Sequence, residues 1–401
     1  MNEHWLIDPK VLFLNHGSFG SCPRPVLEFQ QALRERMERQ PVQFLVRDLE
    51  AMLDDARAAL ARFVGAHPDN LVFVPNATTG VNTILRSLSF ESGDELLVTD
   101  HEYNACQNAL QFVATRTGAK VVVAALPFPV ESTGQLLEAI LSRVTSRTRL
   151  ALIDHVTSQT ALVLPIARIV RELAARGVDT LVDGAHGPGM VPLRLEELGA
   201  AYYTGNCHKW LCAPKTAALL HVRPDRQQLI HPLSISHGLS SPRKDCSRYL
   251  IEFGWPGTWD PTACLSVPEA LRFLGGLLPG GWGEIQSRNR RLALEARQIL
   301  CQTLQIKPPC PDECIGAMAS VPLPDARADQ RPGPPLYIDR LQDQLLFQHG
   351  IEVPVIPWPG FPKRLLRISA QLYNETADYE TLSTALKSLF NEHFAYLDSR
   401  C

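Results

Sequence analysis

Thr180-Leu181-Val182-Asp183-Gly184-Ala185-His186-Gly187-Pro188-Gly189 runs a short apolar, β-prone segment into a carboxylate and then into a glycine-rich turn. Similar apolar runs recur around it, at 71–74, 95–98, 120–124, 150–153 and 217–222, with amphipathic segments such as 135–144 and 166–175 between them. Strands alternating with helices predict a parallel sheet covered on both faces. The runs lack strict polar alternation, as strands buried on both sides do. Upstream, Leu49, Met52, Leu53, Ala56, Leu60 and Phe63 follow helical spacing. That helix is expected to stop at Gly65, whose missing Cβ suits a left-handed cap.

After about residue 275 the rhythm changes, through Gly275-Gly276 and Pro279-Gly280-Gly281. A charged helix is predicted over 288–300, an apolar run at 316–321, a helix over 336–348, strands over 351–355 and 365–369, and a last helix over 377–390. The stretch 325–335 reads as an exposed loop. We therefore expect an α/β large domain over 21–275, with a mostly parallel sheet. A smaller α+β domain, built from 1–20 and 276–401, would close over the active site.

The chain has 401 residues, with 39 Lys and Arg against 42 Asp and Glu, for a net charge of −3. Such a balance advertises neither nucleic acid nor an anionic membrane as a partner, and favours a small-molecule substrate. No run reaches the ~18 apolar residues needed to span a bilayer. The polar opening MNEHWLIDPK does not read as a leader. Ten cysteines lie scattered without a CxxC pair. Free thiols in a reducing cytoplasm are the expectation.

Asp183 stands at the carboxyl end of a strand, where open α/β sheets meet their ligands. Alone, such an acid also caps a following helix. Further along, Thr204-Gly205-Asn206-Cys207-His208-Lys209-Trp210 sets a lysine among apolar and aromatic neighbours. Holding an ammonium there is costly, so its pKa falls and the amine becomes free to form a Schiff base. The plain alternative for Lys209 is a snorkelling surface side chain. Pyridoxal phosphate chemistry needs this pair: the lysine condenses with the aldehyde, and the aspartate keeps the pyridine nitrogen protonated. A phosphate would then suit Asn76-Ala77-Thr78-Thr79-Gly80, a turn after a strand that opens a helix at Val81. A zinc site drawn from His155, Asp183, His186, Cys207 and His208 has suitable ligand types but lacks two histidines at helical i, i+4 spacing. No metal is expected.

Asn76–Asn82, Val182–His186 and Gly205–Trp210 together resemble the class V aminotransferase family of fold-type I pyridoxal phosphate enzymes. Within it, Leu12–Gly20 and His208–Lys215 are most similar to the isopenicillin N epimerase-like branch. The likeness runs from about Leu12 to Asn374. It implies pyridoxal 5'-phosphate as cofactor, with Lys209 and Asp183 catalytic. Ala77, Thr78, Thr79 and His208 would serve the phosphate, Tyr103 would stack on the ring, and His186 and Ser158 would face its phenolic oxygen. Many relatives carry histidine where Tyr103 stands, and tyrosine is the poorer proton carrier near neutral pH. Gly257-Thr258 matches a segment that reaches the phosphate of a neighbouring subunit, which implies a homodimer with shared active sites; unaided, it is a Pro-Gly turn. Arg367 aligns with the arginine that grips a substrate carboxylate, and Asn15 and His16 join it at the substrate.

The freed lysine would take the Cα proton of an amino acid. Reprotonation on the opposite face epimerises, loss of a β-substituent cleaves C–S, and protonation at the cofactor carbon leads to transamination. An isopenicillin N epimerase-like activity is the first reading, a C–S lyase without a persulfide cysteine the second, and an aminotransferase the third. Relatives that desulfurate through a persulfide carry a cysteine shortly before the substrate arginine. Here 349–363 contains none. Cys207 and Cys212, which flank the lysine, read as small buried residues.

Overall fold

The computed structural model describes residues 1–327 and 339–398. Most of the expected loop at 325–335, the start of the helix expected over 336–348, and Cys401 lie outside them. Twelve strands are described: β1 Leu12–Phe13, β2 Leu71–Val74, β3 Glu95–Thr99, β4 Lys120–Ala124, β5 Thr148–Asp154, β6 Asp179–Asp183, β7 Tyr202–Asn206, β8 Ala218–Val222, β9 Met318–Leu323, β10 Ile351–Glu352, β11 Val355–Pro357 and β12 Arg364–Ser369.

Seven strands form the main sheet in the order β2-β8-β7-β6-β5-β3-β4. β4, β3, β5, β6 and β7 run parallel to one another, while β8 runs antiparallel to both β7 and β2. The mostly parallel sheet expected is found, with β8 as the strand that breaks the parallel run. An antiparallel return needs no helical crossover, so β7 connects to β8 through a loop, and Lys209 lies in that loop. Neighbouring residues on one strand enter opposite cores. On β5, Leu150 and Leu152 pack into one cluster and Ala151 and Ile153 into the other. Both faces are thus buried, as the unbroken apolar runs predicted.

β7 does not read as a strand from sequence, because Tyr202-Tyr203-Thr204-Gly205-Asn206 mixes aromatic, polar and glycine residues. All five are buried, and the sheet's interior overrides their composition. The helix expected to open at Val81 begins at Ala77, so the supposed turn is its first turn. Gly65 adopts φ +62 at the end of Leu49–Val64, as expected. The expected strand over 351–355 divides into β10 and β11, with Pro354, which has no N–H to donate, between them.

β9, β11 and β12 form a small antiparallel sheet in which Arg367 pairs with Ser320. β1 pairs with β10 in parallel, Leu12 opposite Ile351, so the N-terminal segment is stitched to the C-terminal one. This pairing carries Asn15, His16 and Ser18 to the carboxyl edge of the large sheet.

Candidate active site

Asp183 ends β6, and Lys209 follows β7, its parallel neighbour, with Asp183 in register with Thr204. The two chemically decisive side chains therefore project from one edge of the sheet. Both oxygens of Asp183 are held: Oδ1 accepts from the Ala185 N–H at 2.9 Å and Oδ2 from the Cys106 thiol at 3.2 Å. Two further buried acids stand close by. Burial and the carboxylates around them push Glu102 and Asp154 well above the ordinary acid range. Glu102, Cys106 and Asp183 form the group of metal-ligand types that gathers among the described residues, within 4.8 Å of one another. The zinc set weighed from the sequence does not assemble there.

Lys209 Nζ lies 3.1 Å from His186 Nε2. Burial, then the charge of Arg367, lowers the lysine to about 7, against the opposing pull of Asp183, Cys106 and Asp154. The low pKa expected from the apolar setting is thus found, with a second cause from the far end of the chain. Gly20, at φ +68, brings its backbone against the same loop; a Cβ there would lie 2.0 Å from the His208 carbonyl oxygen. His16 Nε2–H donates to the Lys209 carbonyl at 3.0 Å, while its Nδ1 accepts from Tyr373 OH at 2.8 Å. Fully buried and lowered by that burial to about 3, His16 holds the lysine's backbone in place.

The helix Ala77–Ser87 points its N-terminus at this edge. Asn76 caps it, accepting the Thr79 N–H at 2.8 Å, and the Ala77 N–H donates to Asn206 Oδ1 at 2.9 Å. Asn206 ends β7, so one amide ties the helix start to the loop that carries the lysine. The Thr78 N–H has no partner among the described residues, and the helix dipole adds positive potential there. His208 donates Nδ1–H to the Ala217 carbonyl at 3.0 Å, and burial lowers it to about 4. In its neutral form Nε2 is an acceptor, so donating to an anion requires a proton to be taken up.

Arg367 reaches the site from β12. Nη1 donates to the Ser158 carbonyl at 2.6 Å and meets its hydroxyl at 3.3 Å. Nη2 donates to Ser18 Oγ at 2.8 Å, with Asn15 Oδ1 at 3.5 Å. Ser158, expected at the phenolic oxygen, is thereby placed on the arginine. Tyr103 is 46% exposed just before the helix Asn104–Thr117. Thr258 is exposed on the wall of a cavity of about 730 Å³ that it shares with Thr79, Thr83 and Trp255. Burial raises the Cys207 and Cys212 thiols, which keeps them protonated and inert.

The sequence alone gives no role to Glu102, Cys106, Asp154, Ser18, Tyr373 or Gln371, whose side-chain amide nitrogen lies 3.2 Å from His16 Nε2. Each meets the site through a fold-level contact between distant segments. Ser18 alone had a signal, since it lies in the motif that contains Asn15 and His16.

A carboxylate, an amine and a helix N-terminus at one sheet edge, with a guanidinium opposite that meets no carboxylate among the described residues, fit a flat, phosphorylated aldehyde and an amino-acid carboxylate. Comparison with known proteins agrees. The model for Aminotransferase class-V matches residues 23–326. An isopenicillin N epimerase of Amycolatopsis lactamdurans is 36% identical, covering 96% of this chain and 97% of its own. A probable chloroplastic L-cysteine desulfhydrase of Arabidopsis thaliana is 32% identical, with 98% and 86% covered. Among solved structures, the Escherichia coli cysteine desulfurase CsdA superposes with a TM-score of 0.77 at 19% identity, covering 97% of each chain. A C-DES mutant with glycine covalently linked to its pyridoxal phosphate gives 0.78 at 20% identity, covering 96% and 99%.

Proposed function

The chain belongs to the class V aminotransferase family, and from that premise we propose that it is an isopenicillin N epimerase-like enzyme inverting Cα of an amino acid or amino-acid-derived substrate. Its cofactor is pyridoxal 5'-phosphate, held through Lys209 and Asp183, with Ala77, Thr78, Thr79 and His208 at the phosphate and Tyr103 and His186 at the ring. The cofactor supplies an electron sink for charge developing at Cα.

The observation that carries the reading is Arg367: fully buried, lowered by that burial to about 10, and opposed by no carboxylate among the described residues. A guanidinium so placed binds a carboxylate in two parallel hydrogen bonds and fixes the Cα–H bond relative to Lys209. Lys209, low in pKa and buried, is suited to take that proton. Asp183, braced by Ala185 and Cys106, would hold a proton on the cofactor's ring nitrogen.

A second reading, a C–S lyase without a persulfide cysteine, is supported by the likeness to L-cysteine desulfhydrases and by the absence of cysteine from 349–363. Transamination ranks behind both. Incubation with candidate amino acids in D2O separates them. Inversion with Cα exchange supports the first reading, and released sulfide with pyruvate replaces it with the second.

We further propose a homodimer in which Thr258 serves the partner's phosphate site. Exposed Val46 lines the same cavity as Thr258, an apolar side chain suited to contact a second copy. The nine cysteines among the described residues are all unpaired, which supports a cytoplasmic setting. No helix among them is long and apolar enough to cross a membrane.

A further inference from the structure

We propose that the Trp210 indole is a positioning group that fixes the tautomer of His186, and that this tautomer holds Lys209 as a free amine. The inference rests on the reading of Lys209 as the amine that condenses with the cofactor's aldehyde. Trp210 Nε1 lies 3.3 Å from His186 Nδ1, and His186 Nε2 lies 3.1 Å from Lys209 Nζ. An indole N–H only donates, so Nδ1 must carry the lone pair. The neutral ring then bears its one proton on Nε2, which points at the lysine. An ammonium has donors only and would face that N–H without an acceptor, whereas a neutral amine accepts from it. The opposite tautomer would present a lone pair to Lys209 and favour the ammonium.

Burial keeps the arrangement from being exchanged with water, since Trp210 is 1% and His186 2% exposed. The indole is itself held in place by His16, whose ring centre lies 4.9 Å away. The charges around Lys209 oppose one another: Arg367 disfavours the ammonium, while Asp183 favours it. His186 is held neutral by its burial first, with the charge of Arg367 acting in the same sense. A directed hydrogen bond from the Nε2–H form acts on the lysine nitrogen independently of that balance.

The test uses nitrogen-15 histidine NMR on the cofactor-free protein, with the His186 signals identified by their loss in His186→Gln. At neutral pH the expected result is a protonated Nε2 and an unprotonated Nδ1. Trp210→Phe keeps the ring and removes the donor, so the His186 signals should move toward a mixture of tautomers. The pH midpoint for condensation with pyridoxal phosphate should rise by about one pH unit, roughly a tenfold loss of amine below it. A protonated Nδ1 in the unsubstituted protein overturns the proposal even if the variant fails to fold. So does a folded Trp210→Phe protein with unchanged tautomer and midpoint. Lys209→Ala tests the underlying reading separately: a visible pyridoxal band that survives there removes Lys209 from its role and leaves the tautomer result standing.

Discussion

Arg367 Nη1 and the Ser158 carbonyl oxygen lie 2.6 Å apart, joining a strand near the C-terminus to the turn that follows β5. With Ser18 Oγ on the other nitrogen, the guanidinium's hydrogen-bond partners among the described residues are all neutral groups. Orientation without charge compensation leaves its affinity for an anion intact, where a carboxylate partner would have consumed it.

Replacing Arg367 by Lys keeps the charge and removes the two-pronged grip. KM for the amino-acid substrate is expected to rise by about tenfold or more, with a smaller fall in kcat, because a hydrogen bond to a charged group is worth roughly 1.5–3 kcal/mol. Steady-state kinetics decide it. An unchanged KM would place Arg367 outside the substrate site.

Lys209, lowered to about 7, is ammonium below that pH and amine above it. Condensation of the cofactor-free protein with pyridoxal phosphate should therefore slow about tenfold per pH unit on the acid side and level off on the alkaline side. Asp183 raises the lysine, so Asp183→Asn should move the midpoint down. Stopped-flow absorbance across pH measures both; an upward move would contradict the electrostatics described.

Glu102 and Asp154 are buried acids whose folded-state pKa values are raised, by burial first and neighbouring carboxylates second. The folded chain then binds protons more tightly than the unfolded one. Their contribution is fully present below the unfolded value, near pH 4, and is lost as pH rises toward the folded one. Glu102→Gln removes one such acid and should raise Tm at pH 8 relative to pH 5, by about 2 °C per kcal/mol recovered. Calorimetry at the two pH values is the check, and an equal change at both would exclude the linkage.

The main sheet was legible because its strands are buried on both faces and therefore written as apolar runs. β7 was not, since a glycine and two tyrosines serve its interior position. Lys209 and Asp183 were legible as local motifs at strand ends. The acids behind Asp183, and Tyr373 behind His16, acquire meaning from register: Asp183 opposite Asp154 across β6 and β5, and Leu12 opposite Ile351 across β1 and β10. No spacing along the chain encodes such pairings, which follow from how the sheets assemble.

Thr258 offers a test of the shared site that does not depend on the reaction. A two-fold interface exchanges identical segments, so each subunit would lend its Thr258 to the other. Lys209→Ala abolishes condensation in its own subunit but leaves Thr258 available to a partner; Thr258→Ala does the reverse. Each variant alone should bind pyridoxal phosphate poorly or without the visible band. Mixed after reversible dissociation, they form heterodimers in which one site has an intact lysine and an intact threonine. Partial recovery of tight binding and of the visible band is the expected outcome, with light scattering to verify the dimer. If Thr258 serves the site of its own chain, across the cavity it shares with Thr79, mixing recovers nothing, because every subunit with a lysine then lacks its threonine.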